Sequence, residues 1–184
     1  MRSEGPATEA DLVRRAASGD QEAFADLVRR YQSPLVSFAY RYLGSREEAE
    51  DVAQDAFVRA YFALKDLRNS RAFAAYLFRI ALNLSRKRWA RRAVCAPGPP
   101  APQPSAEAEA LARAEWDRVA RAIAELPEEY RAPVSLRVDD GLSFAEIGEL
   151  VGASEGACRM RYHRARQMLR ARLGYEAEPM EDVP

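Results

Sequence analysis

Residues 142–172, LSFAEIGELVGASEGACRMRYHRARQMLRAR, decide the fold of the C-terminal part of this chain. Ser143 and Glu146 have the Ser-x-x-Glu spacing of a capping box, and an apolar run follows until Gly152. Ser154 is placed to cap another helix directly after that glycine. Two helices separated by a tight turn predict a helix-turn-helix motif.

The second helix of this motif has two distinct faces. A stripe with spacings of four, three and four predicts burial of Cys158, Tyr162, Ala165 and Leu169. The face offset from it holds Arg159, Met160, His163 and Arg164. Residues 156–172 contain six arginines and no carboxylate. The arginine side chains of such a helix repel one another unless a polyanion or solvent offsets their charge, so the pattern favours contact with duplex DNA. The alternative interpretation is a basic face that is only solvated.

The composition is that of a folded globular protein. With 184 residues and 48% hydrophobic content, the chain has room for one domain or two small ones. No apolar run approaches the roughly 20 residues of a membrane span, and the N-terminus lacks the apolar core of a signal peptide, so we expect a cytoplasmic protein. Two cysteines and one histidine are too few for a zinc framework. No catalytic constellation or phosphate loop is recognisable, and we expect neither an enzyme nor a bound metal or cofactor.

Charge is segregated along the chain although the formal net charge is zero. Residues 67–92 contain eight basic residues and no acidic one, so a second basic block precedes the helix-turn-helix. Acidic residues concentrate in 47–55 and in the C-terminal tail. Two basic surfaces and one acidic surface imply at least two kinds of partner.

A proline-rich stretch divides the chain. Residues 96–105 hold five prolines, no large apolar side chain and no charge, which predicts an extended linker. We therefore predict an all-α protein with two small helical domains, the second of which contains the helix-turn-helix. The predicted bounds are 1–92 for the first domain, 93–106 for the linker, 107–174 for the second domain and 175–184 for an acidic tail.

Capping residues predict where the helices begin and end. In the first domain the predicted helices run from Thr8 to Ser18, Asp20 to Arg30, Pro34 to Gly44, Ser45 to about Leu64, and Ala72 to about Arg92. Ser45 and Glu48 are expected to form a capping box. In the second domain, helices are expected around Ala108–Glu125 and Glu128–Val138 before the helix-turn-helix. Pro133 is expected to kink the latter helix or to delay its start.

Two of these helices present polar faces that suggest binding. Val52, Ala56, Phe57, Ala60 and Leu64 form the expected buried set of one helix, opposite Glu47, Asp51, Gln54 and Asp55. That acidic face is either solvated or a protein-binding surface, and both interpretations remain open. The next helix directs Arg79, Asn83, Arg86 and Lys87 outward, and the amide of Asn83 is suited to a base edge.

Three segments together resemble a known family. They are FAYRYLGSREEAEDVAQDAFVRAYFAL (38–64), AFAAYLFRIALNLSRKRWARR (72–92) and LPEEYRAPVSLRVDDGLSFAEIGELVGASEGACRMRYHRAR (126–166). The chain resembles a bacterial RNA polymerase sigma factor of the sigma-70 family, extracytoplasmic-function group. The resemblance spans both predicted domains in order, with the linker in the expected place.

The resemblance implies a division of roles between the two domains. The first would dock on the coiled coil of the largest polymerase subunit and bind the minus-10 element as single strand, and the second would bind the minus-35 element as duplex. Polymerase contacts would fall on Asp51, Gln54 and Asp55. The segment that captures a flipped base corresponds to Arg68, Asn69, Ser70 and Arg71, with Arg79, Asn83, Arg86 and Lys87 on the adjoining helix. The minus-35 contacts correspond to Arg159, Met160, His163 and Arg164.

The resemblance also implies partners and leaves two alternatives. Core RNA polymerase and promoter DNA are the expected partners, and an anti-sigma protein is a candidate because sigma factors of this group are often held inactive by one. The first alternative is a stand-alone helix-turn-helix regulator that binds duplex DNA, and the second is a protein adaptor. Gly148 stands where the family usually has Ala, at a cost of roughly 1 kcal/mol in helix propensity. In the second helix, Ala157, Cys158 and Met160 stand where the family usually has Thr, Val and Ser.

Overall fold

The computed structural model describes residues 8–66, 73–94, 107–137 and 142–175. Within these ranges all regular structure is helical, which confirms the predicted all-α class. The chain divides into two compact units, within residues 1–99 and 100–184. None of the helices in the described ranges has the combined length and apolarity needed to cross a bilayer.

The first unit contains four α-helices and one 3₁₀ turn. They are α1 (Glu9–Ala17), α2 (Gln21–Leu43), α3 (Arg46–Ala63), the 3₁₀ turn Leu64–Asp66, and α4 (Phe73–Val94). Three begin as the sequence predicts, because the side chains of Thr8, Asp20 and Ser45 accept from the backbone N–H three residues later. Ser45 makes only half of the expected capping box, since the Glu48 carboxylate turns instead to Arg92 of α4.

The prediction that Pro34 opens a separate helix is wrong. Pro34 lies inside the continuous helix α2, which runs from the Asp20 cap to Gly44 in the left-handed conformation. Proline leaves the carbonyl four residues earlier without a helical donor. Leu27 and Phe38, on either side of it, are both fully buried, so packing of the apolar stripe along the whole helix outweighs that local cost.

The core of the first unit lies between α2, α3 and α4. Phe38 of α2 is fully buried and its ring packs edge-on against Phe78 of α4, with 5.8 Å between ring centroids. The buried set predicted for α3 is confirmed, since Val52, Ala56, Phe57, Ala60 and Leu64 are all buried. Because Ala56 and Ala60 are small, α2 and α4 can approach α3 closely, while the polar face of α3 stays exposed.

The second unit is built from α5 (Glu107–Ala124), α6 (Glu128–Arg137), α7 (Phe144–Val151) and α8 (Glu155–Leu173). Pro133 does not delay the start of α6, which begins at Glu128 and includes Pro133. The core joins α5, α6 and α8 through Ile123, Leu126, Val134 and Ala165. Cys158 is fully buried, as predicted, and burial raises the pKa of its thiol.

The helix-turn-helix has the predicted local structure. Ser143 and Glu146 form a complete capping box at the start of α7, Gly152 ends it in the left-handed conformation, and Ser154 caps α8. Gly148 has a steric role in addition to its low helix propensity. A Cβ there would lie 2.5 Å from the Ala153 carbonyl oxygen, so the turn folds back closely over a residue without a side chain.

Candidate nucleic-acid interface

The recognition face of α8 consists of Arg159, Met160, His163 and Arg164, and all four are exposed. Cys158 and Ala165 point the other way and are fully buried, which fixes the rotation of the helix about its axis. Met160 is 51% exposed although it is apolar, and it lies among cationic side chains. The geometry presents a thioether, an imidazole and two guanidinium groups on one side of a capped helix.

Two of the six arginines in 156–172 pair with carboxylates that lie outside that segment. Arg159 donates to Glu155, one turn earlier on α8, at 2.9 Å. Arg172 forms an ion pair with Glu125 at the end of α5. Both pairs are about half-exposed, so each contributes little to stability and is open to exchange with another anion.

The first unit carries a second polar face on α4. Arg79, Asn83 and Lys87 are exposed and follow one another at intervals of four residues, so they form one stripe along the helix. Arg86 is half-buried. The predicted base-capturing residues Arg68, Asn69, Ser70 and Arg71 lie outside the described residues.

Arg88 and Arg92 of α4 are used inside the fold. Arg88 donates to the Glu48 carbonyl at 3.1 Å and to the Asp55 carboxylate at 3.2 Å, and its Nη2 lies 3.8 Å from Asp51. Arg92 donates to the Leu43 carbonyl at 2.6 Å and through Nε to Glu48 at 3.0 Å. The basic block predicted from the sequence therefore contains two side chains that join α4 to α2 and α3.

The acidic face of α3, which we define as Asp51, Gln54 and Asp55, is exposed along its length. We did not predict from the sequence that this face continues toward the end of α3 with exposed apolar residues. Val58 and Phe62 lie on the same side at further intervals of three and four residues, and they are 50% and 76% exposed. Their spacing from Asp55 could have indicated this, but we assigned neither residue to a face of the helix from the sequence alone.

An open groove of about 1130 Å³ lies between α2 and α3 beside this face. Its α3 wall includes Gln54, Val58 and Phe62, and its α2 wall includes Phe24 and Val36. Apolar residues with a polar margin are the composition of a protein-binding surface. Among the described residues there is no cluster of three or more His, Cys, Asp or Glu side chains that could hold a metal ion.

Two family models match the chain, one in each unit. Residues 27–94 match Sigma-70 region 2, which covers α3 and α4. Residues 116–169 match Sigma-70, region 4, which covers the helix-turn-helix up to Leu169 of α8. The two matches occur in this order and together cover all three polar faces described above, those of α3, α4 and α8.

Curated relatives and a solved structure agree with these matches. The chain is 32% identical to the ECF RNA polymerase sigma factor SigW of Bacillus subtilis, with 88% of this chain and 94% of that protein covered. It is 36% identical to the ECF RNA polymerase sigma-E factor of Escherichia coli, with 88% and 92% covered. The structure of CnrH in complex with the cytosolic domain of CnrY matches with a TM-score of 0.73 and 33% identity, covering 92% of this chain and 99% of that one.

These matches support the expected function over the stand-alone regulator. A stand-alone regulator accounts for the second unit only, whereas the matched regions span both units and the relatives are covered almost entirely. The chain therefore belongs to the sigma-70 family, in the extracytoplasmic-function group of sigma factors that direct RNA polymerase to promoters.

Proposed function

We propose that this chain is a non-catalytic, cytoplasmic subunit that binds core RNA polymerase through the first unit and contacts a promoter through both units. The single observation that carries the proposal is the exposed recognition face on a capped α8, in a chain that also matches region 2. The domain bounds that we propose are 1–92, a linker of 93–106, 107–174 and a tail of 175–184.

We propose the acidic face of α3 as the polymerase-binding surface. Asp51, Gln54 and Asp55 supply its polar part, and Val58 and Phe62 extend it with exposed apolar area. Aromatic anchors at the centre of an interface contribute more affinity than charges at its rim. We therefore expect Phe62 to contribute more to polymerase affinity than any one of the carboxylates.

We propose α4 and the segment before it as the minus-10 surface. Arg79, Arg86 and Lys87 would hold the backbone of the separated strand, and Asn83 offers a donor and an acceptor to a base. The segment Arg68, Asn69, Ser70 and Arg71 would capture the flipped base. Unstacking a base costs a few kcal/mol, which hydrogen bonds to that base would offset.

We propose the recognition face of α8 as the minus-35 surface. A helix-turn-helix inserts its second helix into the major groove of duplex DNA, where arginine recognises guanine and apolar groups contact the thymine methyl. Arg159 and Arg164 fit the first role and Met160 fits the second. Joining the two DNA surfaces in one chain makes the second contact effectively intramolecular, so each can be weak alone.

A regulatory protein partner is also part of the proposal. CnrH, the matched structure, was solved in complex with the cytosolic domain of CnrY. We propose that an anti-sigma protein likewise binds this chain and competes with polymerase. The exposed apolar residues beside the groove of the first unit support this, since they would be shielded in such a complex.

Transcription by purified core polymerase tests the function. Fragmented genomic DNA is transcribed with and without the purified chain, and transcript ends are sequenced. Start sites that need the chain and share two upstream elements support the proposal. A footprint obtained without polymerase, together with no transcript, supports the stand-alone regulator, and polymerase association without promoter preference supports the adaptor.

Arg164→Ala tests the minus-35 surface on a promoter found in this way. We expect affinity for the minus-35 duplex to fall by about 1–3 kcal/mol. Arg121→Ala is the matched control, because Arg121 is exposed on α5 of the same unit and is not part of the recognition face. Equal affinities for the Arg164→Ala variant and the unaltered chain in the same buffer would remove Arg164 from the surface.

A further inference from the structure

Two half-buried aromatic rings lie beside the recognition face. Phe144 is the first residue of α7, and Tyr162 is on α8. Their rings meet edge-on with 5.5 Å between centroids. Tyr162 also packs against the core cluster of Ile123, Leu126, Val134 and Ala165. The pair is therefore anchored to the interior of the second unit.

Side chains of the recognition face contact these rings. The guanidinium carbon of Arg159 lies 5.5 Å from the centroid of Phe144, within the range of a cation–π interaction. The imidazole of His163 meets Tyr162 edge-on at 5.8 Å. Two of the four recognition side chains thus rest against aromatic rings, although both are exposed to solvent.

Phe144 and Arg159 each make a further contact with another charged side chain. Arg137 of α6 lies 4.8 Å from the centroid of Phe144, and it donates to the Leu142 carbonyl at 2.6 Å. Arg159 is held in addition by Glu155 at 2.9 Å. The contacts therefore run continuously from α6 through Phe144 to Arg159.

We propose that Phe144 and Tyr162 form an aromatic platform that positions Arg159 and His163 for contact with bases. The inference rests on the proposed minus-35 role of the recognition face and adds two positioning residues to it. A long arginine side chain loses rotamer freedom when it binds DNA, and a ring that already holds it reduces that loss. Glu155 holds Arg159 in the free protein and is replaced by DNA, because their ion pair is about half-exposed.

A double-mutant cycle in holoenzyme tests the platform. Phe144→Leu keeps an apolar side chain but removes the ring, and it is combined with Arg159→Ala on a promoter identified by the genomic transcription experiment. We expect Phe144→Leu to weaken promoter binding by about two- to fivefold when Arg159 is present, the range of an exposed cation–π contact, and not at all when it is absent. Phe144→Tyr restores the ring and is expected to restore binding.

Three outcomes separate the inference from the proposed function. An equal loss in both backgrounds shows that Phe144 acts through the fold and overturns the platform alone. Failure of Phe144→Tyr to restore binding overturns it as well. Unchanged promoter binding by Arg159→Ala overturns both the minus-35 role of Arg159 and the inference built on it.

A measurement on the free chain is independent of promoter activity. Protons above an aromatic ring experience an upfield ring-current shift, so the side-chain resonances of Arg159 are expected upfield of those of Arg164. That displacement is expected to disappear in Phe144→Leu and to persist in Phe144→Tyr. Arg159 shifts that are identical in the unaltered and Phe144→Leu chains overturn the platform even if the variant is less active.

Discussion

Arg92→Met is expected to destabilise the first unit, while Arg91→Met next to it is not. Arg92 is 28% exposed, and it bonds the Leu43 carbonyl and the Glu48 carboxylate of two other helices. Its Nη2 lies 2.9 Å from the second Glu48 oxygen, an ion-pair contact rather than an aligned hydrogen bond. Arg91 is exposed on the same helix. Methionine keeps the apolar stem in both variants and removes only the charged group.

The size of the effect follows from partial burial. A hydrogen bond from a charged donor contributes about 1.5–3 kcal/mol when buried, and an exposed ion pair about 0.2–1 kcal/mol. With both partners about 30% exposed, loss of the Arg92 contacts is expected to cost about 1–2 kcal/mol. For a unit of this size the melting temperature falls by about 4–8 °C per kcal/mol. Arg91→Met is expected to stay within about 0.5 kcal/mol of the unaltered chain.

Tryptophan fluorescence can follow the first unit alone. The chain has two tryptophans, Trp89 in α4 and Trp116 in α5. In a Trp116→Phe background Trp89 is the only tryptophan, and the thermal transition of its emission reports the first unit. Glu48→Gln completes a double-mutant cycle with Arg92→Met. The coupling energy is expected to be smaller than the Arg92→Met loss, because the bond from Arg92 to the Leu43 carbonyl does not involve Glu48. Equal melting temperatures for the Arg91→Met and Arg92→Met variants would refute the structural role of Arg92.

Three further predictions concern a cap, a thiol and an interface. Ser143→Ala removes the α7 cap and is expected to lower the free energy of unfolding by about 1 kcal/mol. Chemical denaturation measures this change, and an unchanged denaturation midpoint would contradict the prediction. Cys158 is buried with a raised thiol pKa, so mass spectrometry should find it alkylated at pH 8 only after unfolding, and rapid native labelling would contradict this. Phe62→Ala is expected to weaken core polymerase binding about tenfold, roughly 1.4 kcal/mol. The melting temperature is expected to stay the same because Phe62 is exposed. An unchanged affinity would exclude Phe62 from the interface.

Local features of this fold were predictable because they depend on neighbouring residues. Caps at Thr8, Asp20, Ser143 and Ser154 follow from one side chain and the backbone three residues later. Helical periodicity predicted the inward stripe of α8, in which Cys158 and Ala165 are fully buried and Tyr162 and Leu169 are partly buried. Its exposed recognition face was predictable for the same reason, since the periodicity that buries Cys158 directs the opposite side outward.

Features that depend on packing between helices were not predictable. Pro34 was expected to begin a helix, because proline is favoured at the first position of a helix. The structure has one continuous α2 instead, since residues on both sides of Pro34 are buried in the core. Arg88 and Arg92 looked like part of an exposed basic block, since their acceptors lie 33 to 49 residues earlier and meet them only when α2 and α3 pack on α4. The contact of Phe144 with Arg159 likewise requires the turn between α7 and α8.

Arg88 supplies the acidic face of α3 with a counter-charge from within the chain. Because its guanidinium lies 3.2 Å from Asp55 and 3.8 Å from Asp51, these carboxylates retain fewer mobile cations than two free carboxylates would. A partner that docks on this face has correspondingly few cations to displace, and its attachment is only weakly sensitive to ionic strength. The DNA binding proposed for the recognition face would release cations condensed on phosphates and is expected to weaken steeply as ionic strength rises. For the proposed surfaces, rising ionic strength is therefore expected to weaken promoter binding before it weakens polymerase binding.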